Sequence, residues 1–207
     1  QTDEGVELLY QKISELEKEI AELRSQLEEN SVLVERSLEL QQQRYLDLDS
    51  RILELSSIEK NIASESSKES IAISYEQEEK LLYKNALELF EASRYAEALE
   101  IFSEVIISYP DGIYTPDAYF WSGELFLTQG LYEDAKLSYA KVFEQFPDHM
   151  RSADSLYKLG EIYRIDSDLI EATNYYERVV SLYPDSGAAQ LSKKSIKIIT
   201  EESNLID

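Results

Sequence analysis

The 207-residue chain contains no cysteine and only one histidine. The missing cysteines exclude a disulfide framework, a thiol nucleophile and thiolate metal sites. The histidine, His149, stands in the turn sequence "FPDHMRS", where a lone imidazole is typical of a surface residue rather than a general base. The sequence also lacks a phosphate-binding glycine loop, a metal-ligand cluster and a nucleophile elbow. We therefore predict that the protein is not an enzyme and uses no cofactor or metal.

Basic residues are scarce, with 20 lysines and arginines against 42 aspartates and glutamates and a net charge of −22. An acidic surface repels nucleic-acid phosphates and anionic lipids, so neither is expected as a partner. No apolar run approaches the roughly 20 residues that span a bilayer, which argues against direct membrane insertion. Because the chain starts at Gln1 rather than Met, we expect a processed or trimmed chain from which any signal peptide has been removed.

Glycine and proline are absent between Val6 and Ile62, and this segment follows a heptad. Apolar residues recur at alternating steps of three and four from Val6 to Val34, which predicts the seam of a coiled coil. A step of four at positions 34–38 then replaces a step of three, as in a stutter. The residues predicted to form the oligomer interface are Ile13, Leu16, Ile20, Leu23, Leu27, Asn30, Val34, Gln41, Arg44, Tyr45, Leu48 and Asp49.

The stretch "RYLDLD" lies after the stutter, with Arg44 at heptad position g and Asp49 at position e. An arginine at g can pair with a carboxylate at e of a neighbouring helix. The order of residues resembles the trimer-favouring motif of coiled coils, with Asp in place of Glu. The alternative is an ordinary exposed ion pair, worth under about 1 kcal/mol. Ile or Val at heptad position a with Leu at position d favours a two-stranded coiled coil instead, so the heptad alone does not decide between dimer and trimer.

The second half of the chain repeats. Pro110, Pro147 and Pro184 each end a similar unit and are 37 residues apart, a period that predicts stacked helical hairpins. We therefore predict an all-α protein, in which an oligomerising coiled coil is followed by a tetratricopeptide-repeat solenoid. The predicted segments are a coiled coil over 1–63, a Ser-rich linker over 64–74 and a repeat domain over 75–207. Within the repeat domain we predict three repeats, over about 79–115, 116–152 and 153–187, followed by a capping helix over about 188–200.

Aligning the repeats assigns their packing positions. Small residues recur where the two helices of a hairpin approach closely, at Ala86, Gly123 and Gly160. At three further positions the repeats carry similar residues: Ala98, Ala135 and Ala172; Phe102, Tyr139 and Tyr176; and Val105, Val142 and Val179. Thr115 is expected to cap a helix whose first residue is Pro116.

One further set of positions is rotated by about 100° from the hairpin contact and is expected to line a binding groove. We call these nine residues the groove row: Tyr83, Leu87, Phe90, Phe120, Glu124, Leu127, Tyr157, Glu161 and Arg164. Such a groove suits an amphipathic helix or an extended peptide. For each aromatic residue of the row, packing against a neighbouring repeat is the alternative. The basic clamp of chaperone-binding repeats is missing, because Tyr83 and Leu87 stand where Lys and Asn are expected.

Three stretches carry a resemblance to a known family: "QQQRYLDLDSRI", "YPDGIYTPDAYFWSGELFLTQGLYEDA" and "YPDSGAAQLSKKS". Together with the heptads, they resemble the CpoB/YbgF family of Tol-associated cell division coordinators. The resemblance implies a periplasmic homotrimer that binds TolA, contacts a bifunctional peptidoglycan synthase and coordinates peptidoglycan synthesis with outer-membrane constriction. The repeats alone also resemble outer-membrane assembly lipoproteins of the BamD type, so a scaffold in such a complex is the alternative.

Overall fold

The computed structural model describes residues 2–60 and 69–203, which form eight α-helices and no strand. The helices are α1 (Thr2–Lys60), α2 (Glu69–Glu91), α3 (Tyr95–Ser108), α4 (Thr115–Thr128), α5 (Tyr132–Gln145), α6 (Arg151–Ile165), α7 (Leu169–Leu182) and α8 (Gly187–Ser203). The chain divides into two compact units, Gln1–Ser64 and Glu65–Asp207. The all-helical prediction is therefore confirmed for the described residues.

The first unit contains α1, a helix of 59 residues. At 1.5 Å per residue it extends over roughly 90 Å. It continues without a break through residues 34–38, where the heptad changes its spacing. The apolar seam residues with described side chains are 44–72% exposed, namely Ile13, Leu16, Ile20, Leu23 and Leu27. Association of this seam with other copies stays a prediction.

The remaining predicted interface residues of α1 differ in burial. Arg44 and Leu48 are exposed and Gln41 is half-buried, whereas Tyr45 and Asp49 are buried in the single chain. The side chains of Asn30 and Val34 lie outside the described residues, as does the predicted linker over 64–68. The last six residues of that linker, 69–74, are the first residues of α2.

The second unit is a stack of three helical hairpins closed by α8. The first hairpin is formed by α2 and α3, the second by α4 and α5, and the third by α6 and α7. Each hairpin packs on the next through the contacts of α3 with α4 and of α5 with α6, and α8 covers α6 and α7. This arrangement is a solenoid of the tetratricopeptide-repeat type.

The 37-residue period is visible in the helix boundaries. The second helices of the hairpins begin at residues 95, 132 and 169 and end at 108, 145 and 182. The first helices end at 91, 128 and 165. Links of three residues join the two helices of each hairpin, whereas the links to the next helix are longer, at 109–114, 146–150 and 183–186.

Each first helix ends in the same left-handed turn. Ser93, Gly130 and Ser167 have φ values of 58°, 73° and 62° at equivalent positions. The next residue donates its N–H to a carbonyl five residues back, as Leu131 does to Phe126 at 2.9 Å. This is the hydrogen bond of a Schellman motif, which satisfies carbonyls at the helix end. Glycine suits the left-handed position, and serine occupies it at some steric cost.

The core of each hairpin is built on the predicted small and large residues. A Cβ atom added to Gly123 would lie 2.7 Å from the ring of Tyr139, and one added to Gly160 would lie 2.6 Å from the ring of Tyr176. The predicted close approach of the two helices is therefore confirmed. The alanine, aromatic and valine positions of the second helices are all fully buried: Ala98, Ala135, Ala172, Phe102, Tyr139, Tyr176, Val105, Val142 and Val179.

The prediction for Thr115 is wrong in one respect. Thr115 is the first residue of α4, and its hydroxyl donates to the carbonyl oxygen of Tyr109 instead of capping the helix. Ser152 makes the matching bond to the carbonyl of Phe146 one repeat later. These hydroxyls tie the starts of α4 and α6 to the end of the preceding hairpin and supply a donor to a partly buried carbonyl.

Candidate protein-binding surface

The groove row is mostly buried in the structure. Five of its nine residues are buried, namely Tyr83, Leu87, Phe90, Phe120 and Glu124. Leu127, Tyr157 and Glu161 are half-buried, and Arg164 is exposed. The row is therefore accessible only near the end of α4 and along α6 from Tyr157 onward.

The aromatic residues of the row in the first hairpin pack against the second hairpin. The ring of Tyr83 stacks on that of Tyr114 at 5.0 Å, and Trp121 Nε1 donates to Tyr83 Oη at 3.1 Å. Phe90 lies 4.7 Å from the ring of Trp121. Aromatic pairs at these separations stabilise the fold by more than the burial of their apolar area alone. These side chains stabilise the stack, as the alternative interpretation of the row predicted.

Phe120 is fully buried and lies where the second and third hairpins meet. Its ring packs against those of Trp121 and Tyr139 at 6.0 and 5.9 Å, and the guanidinium of Arg151 lies 4.8 Å above it. Because the groove row is rotated away from the hairpin contact, we expected Phe90 and Phe120 to lie outside the core within each hairpin, yet Phe90 packs on Tyr95 at 5.4 Å. That expectation is wrong, because the helical rotation identifies a face but not the neighbouring helix that covers it.

Two buried ion pairs join the second and third hairpins, and both were missed in the sequence. Arg151 Nε lies 2.9 Å from Asp117 Oδ1. Burial raises the pKa of Asp117, and the charge of Arg151 beside it acts in the opposite direction. Lys158 Nζ lies 2.8 Å from Glu124 Oε1, with both side chains buried. The signal that could have revealed them is a spacing of 34 residues between each acid and its cation.

Glu124 and Glu161 occupy equivalent positions, and each accepts a hydrogen bond from a tyrosine 15 residues later. Tyr139 Oη donates to Glu124 Oε1 at 2.5 Å, and Tyr176 Oη donates to Glu161 Oε1. The first hairpin has Leu87 at this position. Each carboxylate is thus held by its own hairpin, because the tyrosine stands on the second helix of that hairpin. Burial and the Glu161 hydrogen bond raise the pKa of Tyr176.

The accessible end of the groove row centres on Arg164. Its side chain is 48% exposed, and its Nη2 donates to Glu161 Oε2 at 3.1 Å. Tyr157 lies next to it, with its ring 5.6 Å from that of Tyr176, and burial raises the pKa of Tyr157 to about 12. A guanidinium has five donors, so Arg164 keeps donors for a ligand while it contacts Glu161.

The described residues offer no group of three or more His, Cys, Asp or Glu side chains that could hold a metal ion. His149 is partly exposed, and its Nε2 lies 3.5 Å from Asp117 Oδ2, beside the Asp117–Arg151 pair. Within residues 2–60 and 69–203, no helix is long and apolar enough to cross a membrane.

Comparison with known proteins supports the repeat assignment. Tetratricopeptide-repeat models match residues 83–149 and 153–186. No curated protein sequence matches the chain. The chain therefore contains tetratricopeptide repeats, whereas its resemblance to the CpoB/YbgF family stays a prediction.

Among solved structures, the chain is similar to the Yersinia enterocolitica type III secretion chaperone SycD in complex with a peptide of the translocator YopD. The TM-score is 0.52 at 15% identity, over 60% of this chain and 93% of SycD. It is similar to MamA, with a TM-score of 0.51 at 19% identity, over 61% and 69% of the two chains. The first repeat domain of Spaghetti (RPAP3), bound to an HSP90 peptide, gives 0.50 at 16% identity, over 62% and 94%. These likenesses show the tetratricopeptide-repeat fold.

Proposed function

We propose that this chain is a non-enzymatic periplasmic adaptor whose repeats bind TolA and whose α1 joins the adaptors into homotrimers. In this role it contacts a bifunctional peptidoglycan synthase and coordinates peptidoglycan synthesis with outer-membrane constriction during cell division. The single observation that carries the binding role is the accessible end of the groove row, where Arg164 is exposed near Tyr157 and contacts Glu161. The choice of TolA rests on the family resemblance.

Protein segments are the ligand class that the fold favours. SycD and the first repeat domain of Spaghetti are both seen with peptides of partner proteins. In this chain the cations nearest the row are already neutralised, because Arg151 contacts Asp117 and Lys158 contacts Glu124. A ligand held mainly by its terminal carboxylate is therefore disfavoured. An apolar segment that places one carbonyl or carboxylate against Arg164 fits better.

Calorimetric titration of TolA domains into the full chain tests the binding role. Arg164→Ala should weaken binding about tenfold, which corresponds to about 1.4 kcal/mol. The matched control is Lys141→Ala, which removes an exposed cation from α5 and should leave the affinity unchanged. Equal affinities for the two variants would move the site away from this end of the row. Failure of the wild-type chain to bind any TolA domain would refute TolA as the partner.

The homotrimer is proposed from the heptad seam and from the pairing of Arg44 with Asp49 of a neighbouring helix. Light scattering on the full chain should give three times the 23.9 kDa of one chain. A dimer or a monomer at tens of micromolar would refute the trimer.

The second candidate function is a scaffold in an outer-membrane protein assembly complex of the BamD type. It is suggested by the repeats, which resemble both families. Affinity capture from a bacterial envelope extract, with the full chain as bait, separates the two. Tol proteins in the captured fraction favour the adaptor, and β-barrel assembly proteins favour the scaffold.

A further inference from the structure

The positions of the groove row continue onto α8, where they are open to solvent. Lys194 and Ile198 stand one repeat after Tyr157 and Glu161. In α2 and α4 the equivalent side chains pack on the second helix of their own hairpin and are buried. In the part of the chain that the structure describes, α8 has no such second helix. Lys194 is therefore exposed, and Ile198 is 53% exposed.

The register between α6 and α8 follows from the buried pair in the preceding repeat. Glu124 of α4 contacts Lys158 of α6 at 2.8 Å. The same positions one repeat later hold Glu161 on α6 and Ser195 on α8. The hydroxyl of Tyr157, one turn before Glu161, interacts with the side chain of Ser195. The first helices of successive repeats thus meet at the same level in both places.

One further turn along both helices brings the exposed residues together. Arg164 stands there on α6 and Ile198 on α8. Because α6 and α8 run in the same direction, these two residues lie on neighbouring turns, and Lys194 lies one turn before Ile198. Lys197 is also exposed on this part of α8. We call the surface formed by Arg164, Lys194, Lys197 and Ile198 the α6–α8 surface.

The α6–α8 surface is basic in a chain whose net charge is −22. Between Asp185 and Glu201 the sequence contains three lysines and no acidic residue. Lys197 contacts Glu201 at 3.6 Å, but both side chains are largely exposed, and such a pair is weak. Lys194 makes no ion pair with any residue that the structure describes. These cations are therefore accessible to the carboxylates of a ligand.

We propose that the partner segment bound at the accessible end of the groove row is acidic as well as apolar and lies across the α6–α8 surface. Its carboxylates contact Arg164 and Lys194, and its apolar side chains pack on Ile198. The inference rests on the proposed binding role of the row and adds the chemistry of the bound segment, whichever protein supplies it.

The charge distribution favours a short segment over an extended anionic surface. At about 0.15 M salt, charges are screened beyond about 8 Å, so a short segment interacts mainly with the nearby cations. A lipid bilayer or a nucleic acid is larger and would also meet the acidic remainder of the chain, which repels it. Apolar and acidic side chains in one segment match the composition of the α6–α8 surface.

Selection of short random peptides displayed on phage against the full chain tests the proposal without assuming a partner. The enriched peptides should combine several Asp or Glu residues with large apolar residues. Lys194→Glu should weaken their binding by more than about tenfold, because a like charge then faces their carboxylates. The matched control is Lys141→Glu, which makes the same charge change on the exposed surface of α5 and should leave the affinity unchanged.

A second pair of variants tests the apolar part of the contact. Ile198→Ser should weaken the enriched peptides several-fold. Its control, Ile107→Ser, truncates an isoleucine of α3 that is 78% exposed, and should have no effect. Equal affinities for Lys194→Glu and Lys141→Glu, or enrichment of no peptide or of peptides without acidic residues, would overturn the proposal. Binding to phosphatidylglycerol vesicles that Lys194→Glu abolishes would also overturn it, in favour of an anionic membrane surface.

Titration of TolA domains into the same variants separates this inference from the proposed partner. TolA binding that is weakened by Arg164→Ala but unaffected by Lys194→Glu would leave TolA as the partner and overturn its placement on the α6–α8 surface. Failure of TolA to bind a chain that selects acidic peptides through Lys194 would refute TolA and support the surface. Sensitivity of both ligands to Lys194→Glu, with no effect of Lys141→Glu, supports both proposals.

Discussion

The two junctions between hairpins use the same positions with opposite chemistry. At the first junction, Leu87, Phe102 and Trp121 are buried. One repeat later, the same positions hold an equally buried set joined by an ion pair and a hydrogen bond, namely Glu124, Tyr139 and Lys158. The backbone geometry accepts either set because every buried polar atom of the second has a partner. The repeat therefore specifies which positions are buried, not whether they are apolar.

Removing the ring that both junctions share should have the largest effect. Phe120 contacts Trp121 on one side and Arg151 on the other, and it is fully buried. Phe120→Ala should lower the free energy of unfolding by about 3–5 kcal/mol, because it leaves a cavity. Urea unfolding followed by the fluorescence of Trp121, the only tryptophan, measures this. The matched control Phe126→Ala truncates a half-buried ring and should cost less; an equal or larger cost would contradict the packing described.

Removing one partner of the polar second junction should lower the free energy of unfolding by about 3 kcal/mol. Lys158→Met leaves the Glu124 carboxylate buried without its cation, and an uncompensated buried charge is strongly destabilising. The same urea titration measures the loss. A loss below about 1 kcal/mol would show that water reaches Glu124 and that the pair is a surface pair in effect.

Converting the polar junction fully to apolar chemistry sharpens the comparison. The triple variant Glu124→Leu, Tyr139→Phe and Lys158→Met gives the second junction an apolar set like that of the first. It should recover most of the stability lost by Lys158→Met, because replacing a whole buried polar set is often neutral or stabilising. Failure to recover would mean that the second junction also differs in backbone geometry.

The first junction contains one buried carboxylate, and its stability should depend on pH in a defined direction. Glu79 accepts the N–H groups of Tyr114 and Ile113 at 2.7 and 3.2 Å. Burial raises its pKa above the ordinary value of 4.5, and the two N–H donors oppose this. A raised pKa means that Glu79 stays protonated to a higher pH in the folded chain than in the unfolded chain. The contribution of Glu79 is therefore complete below about pH 4.5 and falls as pH rises through the folded pKa.

The control for this pH dependence is Glu79→Gln, which cannot titrate. The difference in unfolding free energy, wild type minus variant, should decrease as pH rises above 4.5. An increase over this range would mean that the N–H donors outweigh burial and lower the pKa instead.

The smallest effect concerns the turns inside the hairpins. Ser93 and Gly130 occupy the same left-handed position in the first and second hairpins. Ser93→Gly should raise the free energy of unfolding by up to about 1 kcal/mol, and Gly130→Ser should lower it by about 1 kcal/mol, because a Cβ disfavours this backbone conformation. Thermal melts of the two variants should move in opposite directions. Shifts of the same sign would point to side-chain contacts rather than backbone strain.

Periodicity in the sequence predicted the hairpin cores well and the groove row poorly. A repeat every 37 residues identifies positions that must be alike, so Gly123 and Tyr139 were placed correctly. The row failed because its burial depends on the next hairpin, which periodicity does not describe. Lys158 was missed for the same reason: its partner is in another repeat, and charge usually indicates an exposed residue.

The buried pair of Glu124 and Lys158 also determines the order in which the hairpins can follow one another. Glu124 keeps its tyrosine within its own hairpin, but its cation stands in the next one. If the first two hairpins were exchanged in the gene, Leu87 would stand opposite Lys158, and a buried ammonium would lose its carboxylate. The repeats are alike in backbone yet not interchangeable, so a shuffled copy of this array would need new side chains at its altered junctions to keep its stability.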